Sequence, residues 1–156
     1  MITNMAAKAR FAAHSAPSPS GIGAVLPLWL EPRLGSDTLR ILDVRAASAF
    51  RIGHIPWSVP LDVRRSLFEP SGAFILAPEL AIVMSTLGVG DEHTVVVVGD
   101  GLVGPALDAA RALFRYQHRD VHVLEGGFSR WVAEGRWVSR EVVRHAPASF
   151  TARVPS

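Results

Sequence analysis

The stretch Val95-Val-Val-Val-Gly-Asp-Gly-Leu-Val-Gly104, VVVVGDGLVG, decides how this chain folds. Four consecutive valines without polar alternation predict a strand buried on both faces of a parallel sheet. The run breaks at Gly99 into a loop with further glycines at 101 and 104, and Pro105 stands where a helix would begin. From Pro105 to Tyr116, Ala106, Ala109, Ala110, Leu113 and Phe114 fall on one helical stripe, with Asp108, Arg111 and Arg115 mostly off it. Strand, glycine loop and helix in this order also match G-x-G-x-x-G, the dinucleotide-binding fingerprint.

On the amino-terminal side, Leu26–Leu34 predicts a short helix presenting Leu28, Trp29 and Leu30, limited by Pro32. Leu39–Val44 predicts a strand ending in charge, Ala46–Phe50 one helical turn, and Ser58–Leu61 a short strand after the proline-punctuated Gly53-His-Ile-Pro56. Pro78 suits a first helical position, and that helix should run to Gly88 as its C-cap. On the carboxyl side, "VHVLEGG" (121–127) is another buried strand, and Phe128–Glu134 a last helix closed by Gly135. Strands alternating with helices define an α/β domain around a mainly parallel sheet. No internal repeat is visible.

Composition narrows the chemistry. At 156 residues, 49% apolar and 19% charged, the chain fits one soluble domain with a sizeable core. No apolar run is long enough for a bilayer span, and the expected location is the cytoplasm. Residues 1–24, rich in Ala, Ser and Pro and free of acids, are expected to form a flexible leader. The net charge of +2 and the dispersed arginines, with Arg64-Arg65 the only adjacent pair, argue against nucleic-acid binding. There is no cysteine, which removes disulfides, thiolate nucleophiles and Cys-ligated zinc. The only lysine is Lys8, so no Schiff base can form beyond the leader.

Dinucleotide binding would use Gly99, Gly101 and Gly104 for a pyrophosphate and Glu125, at the end of the next strand, for a ribose. That leaves "GGFSRW" (126–131) unexplained and too little chain afterwards for a second mononucleotide half. Three other stretches point elsewhere. "ILDVRAASAFRIGHIPWSVPLD" (41–62), "LGVGDEHTVVVV" (87–98) and "VHVLEGGFSRWVAEG" (121–135) resemble, in order, the signatures of the rhodanese-like, or thiosulfate sulfurtransferase, family. "SFTARV" (149–154) is similar to the end of the inactive N-terminal half of tandem sulfurtransferases.

The resemblance implies a rhodanese-like α/β fold with a mainly parallel central sheet of about five strands and helices on both faces. It divides the chain into the leader 1–24, a rhodanese-like domain over 25–140 and a C-terminal extension over 141–156. In that family the loop after the central strand carries a cysteine that accepts sulfur as a persulfide. Here the matching position is Gly99, aligning from the strand, or Asp100, counting back from "VLEGG". Neither can hold a persulfide, and residues 99–107 also lack the family's frequent loop arginine.

The leading expectation is therefore a cysteine-less domain without thiosulfate sulfurtransferase activity, used for binding or regulation. It would partner an active rhodanese module or associate with itself, with Trp137 and "FILAPELAIVM" (74–84) as contact surfaces. The alternative is an enzyme with a repurposed pocket. The loop Gly99, Asp100, Gly101, Leu102, Val103 and Gly104 would cradle a small anionic substrate, with Asp100 as acid or base, alone or with Asp108 or Glu125. Asp43 and Arg45 are expected to be scaffold, His54 to fix the turn before Pro56, and Trp57 to pack or to fill space near the pocket. His118, Asp120 and His122 are not expected to converge on a metal. No metal or cofactor is expected, and no nucleic-acid or membrane partner.

Overall fold

The computed structural model describes residues 21–154. Five parallel strands form one sheet: β1 (Gly23–Val25), β2 (Leu39–Asp43), β3 (Ser58–Pro60), β4 (Thr94–Val98) and β5 (Val121–Leu124), in the order β1-β5-β4-β2-β3. The helices are α1 (Pro27–Leu30), α2 (Ala47–Ile52), α3 (Val63–Leu67), α4 (Ala77–Leu87), α5 (Gly104–Arg115) and α6 (Gly127–Ala133). A 3₁₀ turn, Glu31–Arg33, extends α1.

The valine run is the centre of the molecule. Val95, Val96, Val97 and Val98 are all fully buried. Alternation divides them between two cores, Val95 and Val97 with α3, α4 and α5, Val96 and Val98 with α1 and α6. Ala106, Ala109 and Ala110 form the buried stripe of α5, and their small side chains bring that helix close to the sheet. Trp131 of α6 fills the second core, its indole N–H donating to the Trp137 carbonyl at 2.7 Å. The cap at Gly88 is as expected: φ is +84°, and its amide donates to the carbonyls of Met84 and Ser85.

Several expectations are corrected. The leader was to end at residue 24, but Gly23–Val25 pair with His122–Leu124 as an edge strand, and Ile22 and Ala24 are buried. The remainder of the expected leader, residues 1–20, lies outside the described residues. Helix α3 lies in a stretch without helical periodicity; the Asp62 carboxylate caps it by accepting from the Arg65 amide at 3.2 Å. In α1, Trp29 and Leu30 turn inward while Leu28 is exposed. Of "FILAPELAIVM", only Leu76 and Ile82 are exposed large apolar residues, and Ile75, Leu80 and Met84 are core. The stretch 141–154 packs onto the domain, with Phe150 in the first core.

Candidate functional site

The helix after β4 covers one face of the sheet, and the helix after β5 covers the other. The carboxyl ends of β4 and β5 therefore lie side by side at the edge of the sheet where open α/β folds bind ligands. Here the glycine loop meets "GGF". The Phe128 amide donates to the Gly99 carbonyl at 3.0 Å. Gly126 and Gly127 both have left-handed backbones, φ +76° and +62°. A Cβ on Gly127 would lie 2.1 Å from the Gly99 oxygen and 2.9 Å from both Asp100 Cα and Gly101 N. The second glycine is thus dictated by the loop lying directly on it.

Asp43 and Arg45 brace this contact from β2. Asp43 is fully buried, and its carboxylate accepts from the Arg45 amide at 2.9 Å and from the guanidinium at 2.8–3.1 Å. Arg45 also donates to the Gly53 carbonyl at 2.7 Å and stacks over the Phe128 ring at 3.7 Å. A continuous path leads from Asp43 through Arg45 and Phe128 to Gly99. His54, also buried, has Nδ1 2.8 Å from the Phe50 carbonyl and Nε2 2.6 Å from the Glu141 carbonyl, so it pins both α2 and the C-terminal stretch.

Gly99 is buried, and a Cβ there would meet Ala106 Cβ at 3.0 Å and Val44 Cγ2 at 3.1 Å. Asp100 is exposed. Of the two positions matching the family cysteine, only Asp100 presents a side chain to solvent. Gly101 (φ +98°) and Gly104 (φ +57°) let the loop turn. Among the described residues, no acceptor takes a hydrogen bond from the amides of Asp100 to Gly104.

The other candidates do not converge on the loop. Glu125 is held by Arg130 at 2.6 Å rather than offered to a ribose or to a carboxylate pair. Asp108 lines a groove of about 790 Å³ with Arg64, Arg65 and Pro105. Trp57 lies towards the amino ends of the strands. Its backbone is left-handed (φ +72°) and its indole covers Gly35, where a Cβ would be 3.2 Å from Nε1. It shares a cavity of about 100 Å³ with Arg40 and His145, so it packs away from the glycine loop. His122 and Asp120 do meet, Nε2 to Oδ1 at 2.9 Å, but as a hydrogen-bonded pair. Burial raises the Asp120 carboxyl, yet hydrogen bonds from His122 and Thr94 outweigh it and leave it below the usual range. His118 Nε2 is turned away onto the His93 carbonyl at 2.9 Å. Among the described residues, no group of three metal-ligating side chains comes together.

The sheet order and the braced glycine loop define an α/β domain of rhodanese type. The Rhodanese-like domain model matches residues 26–134, and the chain belongs to that family. It is 33% identical over 125 residues to the sulfur carrier protein TtuD of Thermus thermophilus, covering 78% of this chain and 44% of that one. It is 33% identical over 124 residues to the thiosulfate sulfurtransferase of Corynebacterium glutamicum, covering 78% and 41%. The chain therefore spans less than half the length of these relatives. In fold it is similar to SseA of Escherichia coli, described as a 3-mercaptopyruvate sulfotransferase (TM-score 0.76, 23% identity, 85% of this chain and 55% of that one). It is also similar to an anaerobic ergothioneine biosynthesis enzyme of Chlorobium limicola (TM-score 0.73, 23% identity, 85% and 37%). Family membership replaces the dinucleotide interpretation of the three glycines. No helix among the described residues is long and apolar enough to cross a membrane.

Proposed function

We propose that this chain is a non-catalytic rhodanese domain that acts by binding, as the partner of a cysteine-bearing rhodanese module. One observation carries this reading. The loop is fully built, with Gly127 beneath it and Asp43, Arg45 and Phe128 bracing it, yet the outward-facing position is Asp100 and the chain has no thiol. A carboxylate cannot form a persulfide, so the braced loop serves recognition. Relatives of more than twice the matched length fit a domain that works beside another.

Light scattering on a size-exclusion column tests the pairing. A mixture with a cysteine-bearing rhodanese domain is expected to elute as a one-to-one complex. Two unshifted monomer peaks at micromolar concentrations would contradict it.

A second reading is supported by the amides of Asp100 to Gly104, which have no acceptor among the described residues and suit an oxyanion at a strand-to-helix turn. An anion that binds only the folded chain raises its melting temperature. Sulfate, phosphate or thiosulfate at millimolar concentration is expected to give a saturable rise, reduced when Gly101 is replaced by proline. A flat response to all three rejects the anion cradle.

A further inference from the structure

After a single β-bridge at Ser139, the chain runs to Val154 as a strap without helix or strand. It is pinned first at His54, whose amide and carbonyl exchange hydrogen bonds with Ser139 at 2.9 and 2.8 Å. The far end is pinned more heavily. The Ala148 amide donates to the Ser85 carbonyl (3.0 Å), Phe150 to Ser85 Oγ (3.1 Å), Thr151 to Asp91 Oδ1 (2.7 Å) and Arg153 to the Tyr116 carbonyl (2.9 Å). Phe150 is buried, its ring centroid 5.2 Å from that of His118. Between the pins, His145 lies so close to Gly88 that a Cβ there would be 2.4 Å from the His145 Cβ.

Two histidines of the domain lie near the strap, His118 against Phe150 and His93 within electrostatic reach of the strap's own His145. His93 Nδ1 accepts the Gly90 N–H at 2.8 Å, so that nitrogen carries no proton. His118, buried under Phe150, donates from Nε2 to the His93 carbonyl. His145 Nε2 is buried, with no hydrogen-bond partner among the described residues. Protonating His93 would break its bond with Gly90 and set a cation beside Arg40 and His118, opposed by exposed Glu92 and by a hydrogen bond to the Asp37 backbone. Protonated His145 would face Arg40 and His93, with a hydrogen bond to the Trp57 backbone as the opposing contribution. His118 is faced by Asp91, Asp120 and Glu92, and shares its cleft with Arg119 and Arg153.

Burial, the largest cause, holds all three below the ordinary histidine value of 6.5. The sign follows. Below that value the released strap and its histidines bind protons that the closed form refuses, so closure weakens as pH falls. Asp91 does not share in the change. Burial raises its carboxyl, but the Thr151 hydrogen bonds and nearby His118 and Arg153 bring it below the usual carboxylate range.

We propose that His145–Arg153 is a pH-operated latch, shut by the uncharged imidazoles of His93, His118 and His145, which opens on acidification while the sheet stays folded. Hydrogen exchange read by mass spectrometry tests it at about pH 7.5 and about pH 5, after correction for intrinsic rates. Protection of the 145–153 segment is expected to fall by about tenfold or more at the lower pH, with that of 94–98 unchanged. The fall should be several times smaller in His118→Gln. An unchanged strap, simultaneous loss at 94–98, or a His118→Gln response equal to the natural chain would each overturn the proposal. If His118→Gln does not fold, histidine NMR titration of the natural chain decides: the midpoint of strap opening must track protonation of at least one of the three rings.

Discussion

Replacing Gly127 with alanine is expected to destabilise the domain by about 3 kcal/mol and to lift the glycine loop off α6. The added methyl would sit 2.1 Å from the Gly99 oxygen and within 3 Å of two further backbone atoms, on a residue with φ +62°. Backbone atoms cannot rotate away as a side chain would, so loop or helix must move. Gly104→Ala is the control. It shares the left-handed backbone (φ +57°) but meets nothing within 4 Å, so only the conformational cost of about 1 kcal/mol remains. Denaturant unfolding followed by tryptophan fluorescence measures both. Equal losses would show that close approach is not what selects glycine at 127.

Asp43→Ala is expected to cost about 3–5 kcal/mol, because it strands a guanidinium that is mostly out of water. The Arg45 side chain is only 13% exposed, and Asp43 takes three of its hydrogen-bonding contacts. The loss should not stay local. Arg45 holds the end of α2 through the Gly53 carbonyl and stacks on Phe128, whose amide anchors Gly99. Removing both partners, as Asp43→Ala with Arg45→Ala, should restore part of the stability, since no buried charge is then left unpaired. Strictly additive losses would contradict the view of the pair as one brace.

Much of this fold is legible from residue patterns, and the failures have physical causes. The unbroken valines of β4 and the Pro78–Gly88 punctuation of α4 are strong because burial on both faces and helix-end chemistry leave few alternatives. Strand β1 escapes because Gly-Ala-Val is too short for periodicity and follows a stretch of leader-like composition. Its position comes from pairing with β5, a long-range fact. Helix α3 has five residues and one cap. The strap has no period at all; only Phe150 is a large buried apolar group along 139–154. Tertiary contacts alone place these three elements.

The site divides in the same way. Glycines at 99, 101 and 126–127 are visible in sequence, but which contact requires each becomes clear only when β4 and β5 lie side by side. Trp57 is adjacent in sequence to the Gly-His-Ile-Pro turn yet packs on Gly35, because β3 runs from there towards the loop rather than away from it. The two positions that the sequence leaves as alternatives, Gly99 and Asp100, differ in their surroundings. Gly99 is wedged against Val44 and Ala106, and Asp100 faces outward.

The most direct test of a rhodanese domain emptied of its sulfur chemistry is to incubate the purified chain with thiosulfate and cyanide. Thiocyanate is expected to form no faster than without protein, and the intact mass should gain no sulfur from thiosulfate. Thiocyanate production that rises in proportion to the concentration of this cysteine-free chain would contradict the account.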